Sequence, residues 1–324
     1  MLAISGPLAA SSRRPVATID AALQDEDMTA PRVRTRLGVE AENMGPPALD
    51  PGIIAMARAI EDSGADSASV SDHLLSFATP GGENISPAEA TWLEALACLA
   101  AISGVTSRVK LVASVIILPQ RNVLELMKTA ATLDVLSRGR LVLGLGSGWN
   151  APEMTALGYD FARRGQRMDE MLHIMRSGQG SAVPPFNGEQ VHVPDGVLMA
   201  PPAWPGHTIP LYIGGSGVSR VSIRRTLTYG DGWMPYSPAD RYDATALRQT
   251  LQQLREARAS EGKPPLDTIF KLSVSSHADP ALEPNVAELA ALGFDEIIIQ
   301  GIWDAGIAPG TAAIQRVRSI LDAT

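Results

Sequence analysis

The stretch Arg140–Asn150, RLVLGLGSGWN, decides how the rest of the chain is read. Leu141, Val142 and Leu143 form an apolar run of the kind that a strand covered on both faces requires. Glycines then alternate at Gly144, Gly146 and Gly148 before the bulky Trp149. Backbone without Cβ atoms at a strand end leaves room for close approach by another group. The glycines resemble a dinucleotide fingerprint, but G-x-G-x-x-G needs a glycine where Trp149 stands, and no strand ends in an acid about 20 residues on.

Similar units lie on both sides. Predicted strands cover residues 35–40, 67–70, 109–118, 140–145, 209–213, 232–235, 269–275 and 296–300. Helical patterns separate them, such as residues 51–64, with Pro51 in the first turn and Gly64 at the end. Eight apolar strands alternating with helices predict an α/β fold, the (β/α)₈ TIM barrel, rather than a doubly wound open sheet. Residues 180–207, with prolines and the alternating piece GEQVHV, read as an insertion after the fourth unit. Residues 35–324 are expected to form a single domain. Residues 1–34 read as a disordered leader in which Met28 is an alternative start.

Composition removes several classes of function. The 324 residues carry a net charge of −8, which argues against nucleic acid. No apolar run is long enough for a membrane span, so a cytoplasmic protein acting on a small molecule is expected. The single Cys98 excludes an internal disulfide and a cysteine zinc cluster, and it sits in an apolar helix pattern as a buried thiol. No metal-binding, nucleophile-elbow or P-loop motif is present, which leaves an organic cofactor as the source of chemistry.

On a barrel, the residues that follow each strand converge on one face. Asp72 and His73 follow the second strand, and His73 is the candidate acid or base, with Asp72 as a neighbour that could pair with it. Gly146, Ser147, Gly148, Trp149 and Asn150 follow the fourth. Gly214, Gly215, Ser216 and Gly217 follow the fifth, where backbone N–H groups before a helix can hold a phosphate. Trp233 and Met234 follow the sixth, and His277 the seventh.

These segments, in order, resemble the bacterial luciferase-like monooxygenase superfamily and its coenzyme F420-dependent oxidoreductase subgroup. The resemblance rests on SVSDHLL, on the run from Lys110 to Gly158, on FARRGQRMDEMLHIMRS, on IPLYIGGSG and on YGDGWMP. It implies a barrel, a deazaflavin cofactor and a non-prolyl cis peptide at Ser114–Val115 set against the ring. It implies that Asp72 and His73 flank the reactive ring, that Gly146, Ser147 and Gly148 border it, and that Gly214, Gly215 and Ser216 bind phosphate. Relatives that oxidise sugar phosphates carry a glutamate directly after the strand-four glycines. Trp149 and Asn150 stand there instead, and the next acid is Glu153, so a sugar phosphate is not the expected substrate. Trp149, Asn150 and Trp233, with Trp92, are expected to shape an apolar substrate pocket. The resemblance also accommodates FMN with O₂ in a monooxygenase, a non-catalytic flavin-binding protein, and a homodimer whose interface the sequence does not mark.

Overall fold

The computed structural model describes residues 34–76, 90–216 and 218–323. Residues 1–33 of the expected leader and most of the loop at 76–90 lie outside these residues, as does Gly217. Eight parallel strands close into a barrel. They are β1 (Arg36–Glu40), β2 (Ser67–Val70), β3 (Lys110–Ile117), β4 (Leu141–Gly146), β7 (Leu211–Ser216), β8 (Gly232–Pro238), β9 (Asp267–Ser273) and β10 (Glu296–Gln300). The remaining two, β5 (Phe186–Asn187) and β6 (His192–Val193), form a small antiparallel hairpin in the insertion. The chain is therefore a (β/α)₈ barrel, as the strand count predicts. None of its described helices is long and apolar enough to cross a membrane.

The helices are α1 (Ile53–Asp62), α2 (Ala95–Val105), α3 (Val123–Ser137), α4 (Ala151–Ala156), α5 (Arg164–Ser177), α6 (Arg220–Tyr229), α7 (Ala244–Ser260), α8 (Leu282–Leu292) and α9 (Ile307–Ala323). Local chemistry sets several of their ends. The Asn122 side chain accepts from the N–H groups of Leu124 and Glu125 at the start of α3, and Asp243 does the same for Ala246 at the start of α7.

Period-two alternation divides the strand residues between two cores. Val112, Val142, Tyr212, Met234, Ile269 and Ile298 form one buried cluster, a residue from each of six barrel strands. A larger cluster lies between the strands and the helices. Trp233 belongs to that outer cluster, only 1% exposed and stacked on Phe294 with centroids 6.0 Å apart. Its expected place in the substrate pocket is corrected by strand parity: Met234, one residue on, takes the inward position.

Between Ala113 and Ile116 the pairing of β3 with β4 shifts register. The Ser114–Val115 peptide bond there is cis. The displaced Val115 side chain packs against the inner cluster, and the glycines around it now have a physical reason. A Cβ at Gly144 or Gly146 would lie 3.0 Å or 2.7 Å from a Val115 methyl, and one at Gly214 would come closer still. Gly148, at φ +72°, faces Ile117 in the same way. Two of the glycines that the sequence assigns to a cofactor, Gly146 and Gly214, thus make room first for Val115. Gly215 alone among Gly214, Gly215 and Gly146 has nothing within 4 Å of a Cβ position.

Candidate active site

A cavity of about 440 Å³ opens among the C-terminal strand ends. His73, Trp92 and Trp149 line one side, and Ser114, Val115 and Met234 lie against the barrel interior. Gly146, Ser147, Gly148, Gly215, Tyr236, Lys271 and Gln300 complete most of the wall. Asp72 also reaches it.

His73 is held on three sides. Its Nδ1 lies 2.6 Å from Oε2 of Glu153, a carboxylate with no exposed surface. Its ring meets Trp92 edge-on at 4.7 Å and Trp149 at 5.6 Å between centroids. Nε2 has no hydrogen-bond partner among the described residues. With Nδ1–H donating to Glu153, the neutral ring presents Nε2 as a bare acceptor. Glu153 also accepts from the N–H groups of Leu74 (2.6 Å) and Leu75 (3.2 Å) and from Gln120 Nε2 (3.3 Å). Burial alone would raise its carboxyl, but the bonds from His73, Leu74 and Leu75 outweigh burial and hold it below the usual range.

The helix that carries Glu153, α4, is absent from the sequence prediction. Asn150 caps it, its side chain accepting from Glu153 N–H at 3.3 Å. Asn150 therefore does not line the cavity as expected; it fixes the turn that aims Glu153 at His73. The Ser/Thr/Asp/Asn rule for helix starts, applied to NAPEM, is the signal that could have found both residues.

Asp72 does not pair with His73. Adjacent residues of extended chain point to opposite sides, and Asp72 turns onto Arg121 (Nη2–Oδ1 2.7 Å) and the N–H of Ile117 (2.9 Å). Burial pushes its carboxyl up against the pull of Arg121. Asp72 braces the segment that follows Val115. Arg121 is shared with Glu94 at 2.8 Å.

A second ionic group lies in the cavity wall, and sequence reading missed it entirely. Lys271, 4% exposed, forms an ion pair with the fully buried Glu40 at 2.5 Å. Its Nζ also donates to Ser71 Oγ (2.6 Å) and to the carbonyl of Ser114 (3.0 Å). Ser71 in turn donates to Glu40 Oε1 at 2.6 Å. A lysine in the middle of the apolar run IFKLSVS was the available signal.

Ser147 and Gly215 line both this cavity and a neighbouring recess of about 350 Å³. Gly214, Ser219, Ser222, Arg164 and Arg225 also line the recess. Strand β7 runs through Ser216, which pairs with Tyr236, so the glycines end a strand and α6 begins only after Ser219. Ser222 Oγ is buried there with no hydrogen-bond partner among the described residues. Arg225 is committed to Asp169 and to Gly165 O. An orphaned hydroxyl at the start of a helix suits an anionic group, and a ring with a phosphate-bearing side chain fits a cavity joined to such a recess. Of the other cations, Lys128 binds Ala200 O and Arg224 binds Asp169, whereas Arg220 is exposed with no partner among the described residues.

Comparison with known proteins shows the family and the fold. The profile of the family described as luciferase-like monooxygenase matches residues 35–301. An uncharacterised protein of Mycobacterium tuberculosis (strain ATCC 25618 / H37Rv) is 29% identical over 223 residues, 69% of this chain and 74% of that one. A protein of Kineococcus radiotolerans named F420-dependent glucose-6-phosphate dehydrogenase is 30% identical over 240 residues, 71% of this chain and 66% of that one. Among solved structures, an F420-dependent secondary alcohol dehydrogenase in complex with an F420-acetone adduct shares the fold. Its TM-score is 0.72 at 18% identity, covering 89% of this chain and 99% of that one. The oxygenating constituent of 3,6-diketocamphane monooxygenase from Pseudomonas putida, in complex with FMN, shares it at a TM-score of 0.68 and 14% identity, covering 88% and 96%.

Proposed function

Because the chain belongs to the luciferase-like monooxygenase family, we propose that it is an oxidoreductase that uses coenzyme F420 and acts on a small, uncharged organic substrate. One observation carries this reading. His73 Nδ1 is fixed on buried Glu153, with the ring set between Trp92 and Trp149 in the wall of the cavity.

When bound, the deazaflavin accepts or supplies a hydride at C5. Gly146, Ser147 and Gly148 with Val115 would hold the ring, and Gly214, Gly215 and Ser216 with Ser222 would hold the phosphate side. The protein takes up or returns the proton. In the oxidative direction His73 Nε2 accepts the proton of a substrate hydroxyl, and the Glu153 carboxylate stabilises the imidazolium that forms. In the reductive direction the same nitrogen returns the proton to the substrate oxygen. Trp92 and Trp149 keep water from the reacting atoms and offer flat apolar surface to the substrate.

The absence of substrate charge follows from the pairing of ionic groups. Among the described residues that line the cavity, Lys271 is the only lysine or arginine, and Glu40 neutralises it. Asp72 is neutralised by Arg121. A phosphorylated substrate would find no uncommitted cation in this wall. The reading is tested by incubating the purified protein and F420 with a panel of neutral alcohols and ketones, with glucose 6-phosphate alongside. Loss or recovery of the deazaflavin absorbance with a neutral member, and none with the sugar phosphate, is expected. Oxygen consumption with reduced FMN and no response to F420 would overturn it in favour of a flavin monooxygenase.

A further inference from the structure

The Lys271 ammonium is committed to protein groups at the wall of the cavity. Its Nζ donates to Ser71 Oγ at 2.6 Å and to Ser114 O at 3.0 Å, and it lies 2.5 Å from Glu40 Oε2 as an ion pair. Glu40 has no exposed surface, and Lys271 has 4%. A buried ion pair of this kind is a poor source of stability, because desolvation offsets much of its attraction. It is better explained by what it holds.

The Ser114 oxygen belongs to the peptide that joins Ser114 to Val115, at the point where β3 leaves register with β4. The two ends of this irregularity are thus held differently. The Val115 side chain sits in the space left by Gly144, Gly146 and Gly214. The Ser114 carbonyl is tied across the barrel to Lys271 on β9, 157 residues away. The Ser114 hydroxyl donates to the Val70 carbonyl at 3.2 Å, so the neighbouring strand holds the residue while Lys271 holds its carbonyl from the opposite side. With the carbonyl fixed from the opposite strand, the surface that Val115 presents to the cavity is fixed as well.

We infer that Lys271, oriented by Glu40 and Ser71, is a positioning residue for the cofactor: it sets the tilt of the Ser114–Val115 peptide and so the seat of the ring. This rests on the proposed deazaflavin-binding function. Lys271 touches neither substrate nor cofactor in this role and transfers no proton.

The test is a binding titration of the full chain with F420 and, separately, FMN, for wild type, Lys271→Met and the double variant Glu40→Gln/Lys271→Met. The double variant guards against misfolding, because it leaves no unpaired buried charge, yet it lacks the bond to Ser114 O as the single variant does. Thermal melting confirms that each variant folds. The expected result is a dissociation constant raised about tenfold or more in the double variant, with the visible absorbance of the bound cofactor moved toward that of the free form. A purely structural pair would lower the melting temperature and leave the bound spectrum and affinity of the folded protein as in wild type; that result overturns the inference. If wild type itself binds neither F420 nor FMN, the functional reading and the inference fail together.

Discussion

Two buried pairs face one cavity, and they are built to opposite ends. At the rim, His73 is tied to Glu153 through one nitrogen, and its other nitrogen has no partner among the described residues. In the barrel wall, Lys271 is paired with Glu40, and its Nζ donates to Ser71 Oγ and to the carbonyl of Ser114. Both carboxylates are fully buried. The difference is spare valence. A base with one uncommitted lone pair beside a cavity can exchange protons, whereas an ammonium paired with a buried carboxylate and bonded to protein oxygens holds what it touches. The aromatic surroundings follow the same division. Trp149 is 74% exposed at the mouth beside His73, and Lys271 lies within the strands.

Breaking the rim pair should have the largest effect. His73→Ala is expected to lower kcat/KM by roughly 10²–10⁴-fold with cofactor affinity within a few fold of wild type. Steady-state rates set beside an F420 titration check this, and an equal loss of affinity would recast His73 as part of the binding wall. Glu153→Gln should fall between that variant and wild type, on the order of 10²-fold down in kcat. The amide can still accept from Nδ1–H but cannot offset the charge of the imidazolium. If Glu153→Gln turned over at the wild-type rate, the ring would be oriented by its tryptophans alone.

The wall pair should respond in affinity before chemistry, as the Lys271 titration tests. Trp149→Ala, at the mouth, is expected to raise KM for the substrate about three- to tenfold with kcat largely kept, the mark of lost uniform binding.

The smallest effect concerns stability beside Glu40. Burial, with the nearby Glu40 charge, pushes the Glu42 carboxyl up to about 7. Folded Glu42 therefore keeps a proton between pH ~4.3 and ~7 that the unfolded chain has released, so its contribution to stability falls as pH rises through that window and stays low above it. Glu42→Gln retains an Oε1 acceptor for the N–H groups of Gly301 (2.8 Å) and Ile302 (3.1 Å). Its melting temperature is expected to exceed that of wild type by a few degrees at pH 8 and to converge with it near pH 4.5. A difference that stayed constant across pH would contradict the assignment.

The strand runs and their order were legible because a parallel barrel strand is covered on both faces and reads as continuous apolar sequence. The same property hid parity: in GWMP, nothing distinguishes Trp233 facing the helices from Met234 facing the barrel interior. The positions after strands β2 and β4 led correctly to His73, Ser147, Gly148 and Trp149 as cavity residues, since barrel topology alone brings them together. What could not be read were partnerships across the sheet. Glu153 is 80 residues from His73 and reaches it from a one-and-a-half-turn helix too short for periodicity to reveal. Glu40 and Lys271 come from the first and seventh barrel strands, and neither residue alone marks the other as its partner. The glycines of Arg140–Asn150 read as space for a cofactor, but that space is taken first by Val115 at Gly144 and Gly146 and by Ile117 at Gly148.

The central claim is that this cavity binds a deazaflavin and places His73 beside it. It is tested most directly by titrating the purified full chain with F420 and with FMN in parallel, followed by cofactor fluorescence. Saturable binding of F420, at least tenfold tighter than that of FMN, is the predicted result. Binding of FMN alone, with no change in F420 fluorescence at any protein concentration, would contradict it.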